Sequence, residues 1–142
     1  MSMIQAKKAI LVIDDDASIC RVLGRILARE GYSVDTAETG EAAREKLETN
    51  VYDVALIDLR LPDINGTDLL GQMNEVGPRM VKIVLTGLPY VENDFESLDG
   101  GADAFLSKPV NPELLLNLIG AKIKEKNPDL PMPADPCILI RR

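Results

Sequence analysis

Short apolar runs alternate along this chain with stretches whose apolar residues recur every three to four positions. Ala9 to Ile13, Val54 to Ile57, Val81 to Leu85 and Ala104 to Leu106 are nearly continuous apolar runs, as expected of parallel strands buried on both faces. Ser33 to Ala37 alternates instead, which predicts an edge strand. Ile19, Val22, Leu23, Ile26 and Leu27 follow the i, i+3, i+4, i+7, i+8 spacing of one helix face, closed by Gly31. Ala42, Ala43 and Leu47 predict a second helix, and Leu69, Leu70 and Met73 a third. Val91, Phe95 and Leu98 predict a fourth that is poor in helix formers, because Pro89, Asn93, Asp94 and the Gly100-Gly101 pair interrupt it. The fifth opens well: Asn111 is a natural N-cap and Pro112 takes the first helical position, ahead of Leu115, Leu118 and Ile119.

Five consecutive βα units predict a parallel sheet with helices on both faces, joined by right-handed crossovers. Ligands of such sheets bind outside the carboxyl ends of the strands, near a topological switch point. At those ends stand Asp14 and Asp15 after the first strand, Asp58 after the third, Thr86 and Gly87 after the fourth, and Ser107-Lys108-Pro109 after the fifth. Taken singly, an aspartate there is commonly a turn or cap residue, and a lone threonine or lysine is merely solvated. Their joint placement is a stronger signal, because the residue types are chemically complementary. Two carboxylates about 4 Å apart repel by roughly 4 kcal/mol at an effective dielectric near 20, so three packed together call for compensation. Mg²⁺, a hard cation that takes oxygen ligands and retains several waters, supplies it, with Mn²⁺ as an alternative. Lys108 suits a phosphoryl oxygen as a point-charge donor, and the Thr86 hydroxyl can donate to another. Phosphoryl transfer needs little beyond positioning and charge neutralisation. Asp58, on the central strand, is then the candidate nucleophile, and Asp14 and Asp15 the metal pair.

Composition narrows the reading further. At 142 residues the chain is long enough for one domain with a proper core and too short for two ordinary ones. Residues 1–126 form the expected globular unit. Residues 127–142 read as a linker or tail, because Pro128, Pro131, Pro133 and Pro136 are four of the chain's nine prolines. Cys137 lies too far from the end for prenylation, and the apolar-basic segment from Cys137 to Arg142 reads as a disordered stub, a docking strand or the start of an output domain. With 46% hydrophobic, 27% charged and only 4% aromatic residues, the chain is globular with an aliphatic core. A net charge of -7 argues against direct binding to nucleic acid or to an anionic membrane. The absence of histidine excludes His-based catalysis and His-containing metal sites. Cys20 and Cys137 make no disulfide framework, so a reducing cytoplasm fits best. There is no signal-peptide pattern, and no apolar run approaches the ~18 residues needed to cross a bilayer.

The segments Val12 to Asp16, Tyr52 to Gly66, Ile83 to Gly87 and Gly101 to Pro109 together resemble the receiver domain of two-component response regulators, with motif order and spacing preserved. That resemblance implies a flavodoxin-like (βα)5 fold: a doubly wound parallel five-stranded sheet in strand order 2-1-3-4-5, helices on both faces. It implies a switch that accepts a phosphoryl group on Asp58 from a sensor histidine kinase or phosphotransfer protein, and that is not otherwise an enzyme. By the same resemblance Asp14, Asp15, Asp58 and the backbone carbonyl of Arg60 hold Mg²⁺, Lys108 contacts the phosphate, and the Lys108–Pro109 bond is cis. Thr86 is the implied switch hydroxyl, Phe105 the aromatic that turns inward behind it, and Gly87 the small residue that keeps the phosphate accessible. A downstream target is expected on the face of the fourth helix, fifth strand and fifth helix, where a phosphorylation-dependent homodimer is one further arrangement.

Several residues have plainer readings. Asp16 is expected to cap the first helix and not to bind metal. Phe105 would pass for core on its pattern alone. Gly66 and Pro62 shape the loop after Asp58, and Cys20 is a small packing residue. Arg60 and Leu88 offer no carboxylate or amide to orient an attacking water, which predicts slow hydrolysis of the acyl phosphate. The poor fourth helix predicts a segment whose population shifts on phosphorylation. Three rival functions fit less well. A flavodoxin-like FMN carrier wants a hydroxyl- and glycine-rich loop where this chain has carboxylates. A hydrolase of the haloacid dehalogenase type needs a second acid where Arg60 stands. A degenerate receiver that only binds protein would not keep Asp14, Asp15, Asp58, Thr86 and Lys108 together.

Overall fold

A computed structural model of the chain describes residues 7–87 and 101–127. Its strands are β1 (Ala9–Ile13), β2 (Ser33–Ala37), β3 (Val54–Asp58), β4 (Val81–Thr86) and β5 (Ala104–Ser107). They form one sheet in the order β2-β1-β3-β4-β5, every neighbouring pair parallel. The described helices are α1 (Ala17–Arg29), α2 (Gly40–Thr49), α3 (Gly66–Val76) and α4 (Pro112–Lys126). The expected helix around Val91 to Leu98, the residue Leu88 and the tail with Cys137 lie outside the described residues.

The apolar periodicities translate into two core layers, one on each sheet face. Ile10, Val12, Leu56 and Leu85 meet Leu23 and Leu27 of α1 and Leu115 and Ile119 of α4. Leu11, Ile13, Ile57 and Val84 meet Ala43 of α2 and Leu69, Leu70 and Met73 of α3. Successive strand residues point to opposite faces, so continuous apolar runs are what a sheet covered on both sides demands. β2 is an edge strand, as its alternation predicts. β5 departs from the expectation of burial on both faces: it is the other edge, and of its four residues only Leu106 is buried. Its one neighbouring strand is β4, so the ladder covers β5 on a single edge.

Capping follows the local sequence. Asp16 is the N-cap of α1, its Oδ1 accepting from the Ser18 N–H at 2.8 Å and the Ile19 N–H at 3.4 Å. Asn111 caps α4 by accepting from the Leu114 N–H at 3.1 Å, with Pro112 next. After α1, Gly31 adopts a φ of 95°, a left-handed conformation that glycine reaches without the Cβ clash of other residues.

The strand order reverses direction between β1 and β3. From β1 the chain winds outward to β2, and then returns to add β3, β4 and β5 on the other side. The crevice above that switch point is flanked by the residues leaving β1 and β3, Asp14 and Asp58.

Candidate phosphoacceptor and metal site

β3, β4 and β5 each run one residue beyond the apolar pattern, so that Asp58, Thr86 and Ser107 are the last ladder positions of their strands. Ladder bonds therefore hold their backbones, and their side chains stand at the rim of the crevice. Asp14 follows β1 directly, and its N–H donates to the Ala37 carbonyl at 3.0 Å.

Asp14 is fully buried, Asp58 and Thr86 are nearly so, and Asp15 is exposed. Lys108 Nζ lies 2.8 Å from Asp14 Oδ2 and 3.2 Å from Asp58 Oδ2, bridging the carboxylates from β1 and β3. Its contact with Asp14 is an ion pair, not an aligned hydrogen bond, so the buried Asp14 Oδ2 retains acceptor capacity. The other oxygens take backbone donors: Asp14 Oδ1 accepts from Asp16 N–H and Asp58 Oδ1 from Arg60 N–H, each at 2.9 Å. Burial raises the Asp14 carboxyl above its usual range, against the pull of Lys108 and the Asp16 N–H, and Asp58 adds a smaller upward push. Burial works to lower the Lys108 ammonium, but its contacts with Asp14 and Asp58 outweigh that and raise it.

Among the described residues, Asp14, Asp15 and Asp58 can each bring one carboxylate oxygen within 4.8 Å of the others. Lys108 offsets one of those three negative charges, and a divalent cation would offset the remaining two. The donor set is all oxygen, without sulfur or imidazole, which matches Mg²⁺ or Mn²⁺ better than a softer metal. The buried Asp14 oxygen without an aligned donor is the kind of atom such an ion satisfies.

Thr86 Oγ1 is buried and has no hydrogen-bond partner among the described residues. A buried hydroxyl in that state is costly, and an incoming phosphoryl oxygen would satisfy it. Thr86 lies opposite Ser107, and Phe105 opposite Val84, so alternation places Thr86 and Phe105 on one sheet face in adjacent strands. Phe105 is half-buried against the α3-side core layer. A Cβ built on Gly87 would meet nothing within 4 Å among the described residues. The Lys108–Pro109 bond is cis, and the Lys108 N–H donates to the Thr86 carbonyl at 2.7 Å.

The sequence pattern thus brings together Asp14, Asp15, Asp58 and Lys108, with Thr86 at the same rim; Arg60 is exposed, and its N–H serves Asp58. Two supporting residues escaped it. Cys20 donates from Sγ to the Asp14 carbonyl oxygen at 3.3 Å, and burial pushes its thiol up to about 11. Asp63 reaches across to α2, a contact between residues 23 positions apart that no local signal marks.

A family model described as the response regulator receiver domain matches residues 10–120. Among curated proteins, the chain is 37% identical over 106 residues to the alginate biosynthesis transcriptional regulatory protein AlgB of Pseudomonas aeruginosa, covering 75% of this chain and 24% of that protein. It is 34% identical over 120 residues to the response regulator MprA of Mycobacterium sp. (strain KMS), covering 84% of this chain and 52% of that one. The chain therefore spans between about a quarter and about half the length of these relatives. Among solved structures, a response regulator receiver domain protein (CheY-like) from Methanospirillum hungatei JF-1 superposes with a TM-score of 0.83 at 41% identity, covering 87% of this chain and 99% of that one.

Proposed function

The chain belongs to the response regulator receiver domain family, and from that premise we propose that Asp58 is its phosphoacceptor, served by Lys108 and Thr86. The supporting observation is the bridge from Lys108 Nζ to Asp58 and Asp14, beside a buried Thr86 hydroxyl with no partner among the described residues. An oxygen of Asp58 attacks the phosphorus of a phosphohistidine on a sensor kinase or phosphotransfer protein. The O–P bond forms as the P–N bond breaks, and the imidazole nitrogen leaves with the electron pair. Lys108, already 3.2 Å from Asp58 Oδ2, carries its charge to the transferred phosphoryl group. Thr86 donates its hydroxyl hydrogen to a phosphoryl oxygen, and this movement frees the space into which Phe105 turns.

Asp14, Asp15, Asp58 and the Arg60 carbonyl would hold the cation. Its chemistry there is neutralisation of the charge that gathers on the phosphoryl oxygens. A separate step completes the cycle: water attacks the phosphorus of the acyl phosphate, the bond to the Asp58 oxygen breaks, and inorganic phosphate leaves with the carboxylate restored; the chain performs no other catalysis on this reading. An apolar groove of about 560 Å³ runs beside the site between α1 and the Lys108–Pro112 segment, lined in part by Ile19, Val22 and Pro109. Exposed apolar surface of this kind marks interaction sites, and on this reading its occupant is the protein donor. The downstream target is assigned to the side of the sheet edge that carries β5 and α4, within a receiver unit of residues 1–126. A cytoplasmic setting keeps the Cys20 thiol reduced, and no described helix is long and apolar enough to cross a membrane.

Incubation with Mg²⁺ and acetyl phosphate followed by intact-mass measurement tests the assignment. Wild type is expected to gain one phosphoryl group and Asp58→Asn none. Equal modification of the variant at the same position would remove Asp58 from the mechanism.

A further inference from the structure

Asp63 stands in the loop between Asp58 and α3, and its carboxylate ends on a different element. Oδ1 accepts from the Gly40 N–H at 2.7 Å and Oδ2 from the Glu41 N–H at 2.9 Å. Both donors belong to the first turn of α2, where N–H groups lack helical partners and the helix dipole favours an anion. These two N–H groups hold the Asp63 carboxyl below the usual carboxylate range, Gly40 contributing most. Beside this contact Ile64 fills the place of a Gly40 side chain: a Cβ there would lie 2.1 Å from Ile64 Cγ2. α2 already has a cap of its own, because Thr39 Oγ1 accepts from the Ala42 N–H at 3.0 Å. The carboxylate takes the two first-turn donors that this cap leaves free, and so ties the loop to the helix.

The loop is closed at its neck. Gly66 N–H donates to the Leu59 carbonyl at 3.1 Å, Arg60 bridges to Asn65, and a Cβ on Gly66 would come within 2.4 Å of Leu59 Cα. At that neck sits the Arg60 peptide, whose N–H donates to Asp58 Oδ1. A loop closed on itself can still rock about its neck. Asp63, at the far side, fastens it to α2.

We propose that Asp63 is a positioning residue for cation binding: by clamping the β3–α3 loop to the amino end of α2, it holds the Arg60 peptide in register with Asp14, Asp15 and Asp58. The proposal rests on the reading of those three aspartates and the Arg60 carbonyl as the cation site. Supporting partners of metal ligands typically change affinity by about 10–100-fold when removed.

The test is Mg²⁺ titration calorimetry on the full chain, with thermal melts to establish folding. Asp63→Ala is expected to weaken binding about tenfold, and the loss to persist at about 0.5 M KCl, where exposed charges are screened. Asp63→Asn keeps one acceptor and should fall between, giving a second variant if Asp63→Ala does not fold. Gly40→Ala keeps the carboxylate but crowds both members of the contact, because its Cβ would lie 2.1 Å from Ile64 Cγ2 and 3.2 Å from Asp63 Oδ1. It should weaken binding as well, and the double variant should be no worse than the more affected single one, because both act through one contact. A loss that vanishes at high salt, or that the exposed first-turn control Asp68→Asn reproduces, reduces Asp63 to its charge and overturns the proposal. Unchanged affinity in Asp63→Ala also overturns it. A wild type that binds no Mg²⁺ is a different failure, that of the cation site itself.

Discussion

Lys82 is a fully buried lysine on β4, at the opposite end of the strand from Thr86. Its Nζ donates to the Met80 carbonyl oxygen at 2.6 Å. Burial pushes the ammonium down to about 8; the neighbouring Lys126 charge adds to that, and Asp103, paired with Lys126 at 2.8 Å, works against it. A lysine whose folded value is depressed binds a proton more weakly folded than unfolded, so its contribution to stability rises with pH from about 8 toward the unfolded value of 10.5. From about pH 9 Cys20 acts in the other direction: its thiol, raised to about 11, stays protonated in the fold while the unfolded thiol ionises. The clearest measurement is a comparison of denaturant unfolding of wild type and Lys82→Met from pH 7 to pH 9. The variant is expected to be more stable at pH 7 by about 1–2 kcal/mol, since apolar replacement of a buried charge is often stabilising. Its advantage should shrink as the pH rises. An advantage that does not vary with pH would mean that the ammonium is not strained by burial.

Among the elements, α1 shows how closely cap and site can neighbour each other without sharing a role. Asp16 extends a run of three aspartates, yet its carboxylate accepts from Ser18 and Ile19 N–H groups, and only its backbone N–H serves Asp14. Asp16→Ala should therefore cost about 1 kcal/mol of stability by chemical denaturation, with Asp16→Ser recovering most of it. Phosphorylation at Asp58 should persist in both variants, because alanine and serine keep the N–H; its disappearance would return Asp16 to the site. The β3–α3 loop shows the converse: Leu59 to Gly66 carries no long apolar pattern, and its shape comes from Gly66 lying against Leu59 and Asp63 reaching α2.

For the molecule as a whole, the proposed cation site can form only in the folded state, because Asp14 and Asp58 come from different strands across the switch point. A ligand that binds only the folded chain stabilises it by mass action, by about 2.7 kcal/mol at a hundred times its Kd. Mg²⁺ should accordingly raise the calorimetric melting temperature with concentration. EDTA should reverse the rise, and Asp58→Asn should diminish it by removing one ligand charge. A melting temperature indifferent to Mg²⁺ would sink the reading of the three carboxylates as a cation site.

The chain's own order was enough for whatever depends on neighbours a few positions apart. Apolar period separates buried strands from helices, Asn111-Pro112 starts α4, and Asp14, Asp58, Thr86 and Lys108 follow their apolar runs at the ends where a parallel sheet gathers its ligands. Folding alone could settle what depends on which faces and edges meet. β5 reads as buried on both faces but lies at the sheet's edge, Lys82 is sealed inside although it is charged, and Thr86 Oγ1 is left without a partner among the described residues. The Asp63 clamp belongs with these. Its two halves lie 23 residues apart with no shared period, and only the crossover packing of α2 beside the β3–α3 loop brings them within hydrogen-bonding distance.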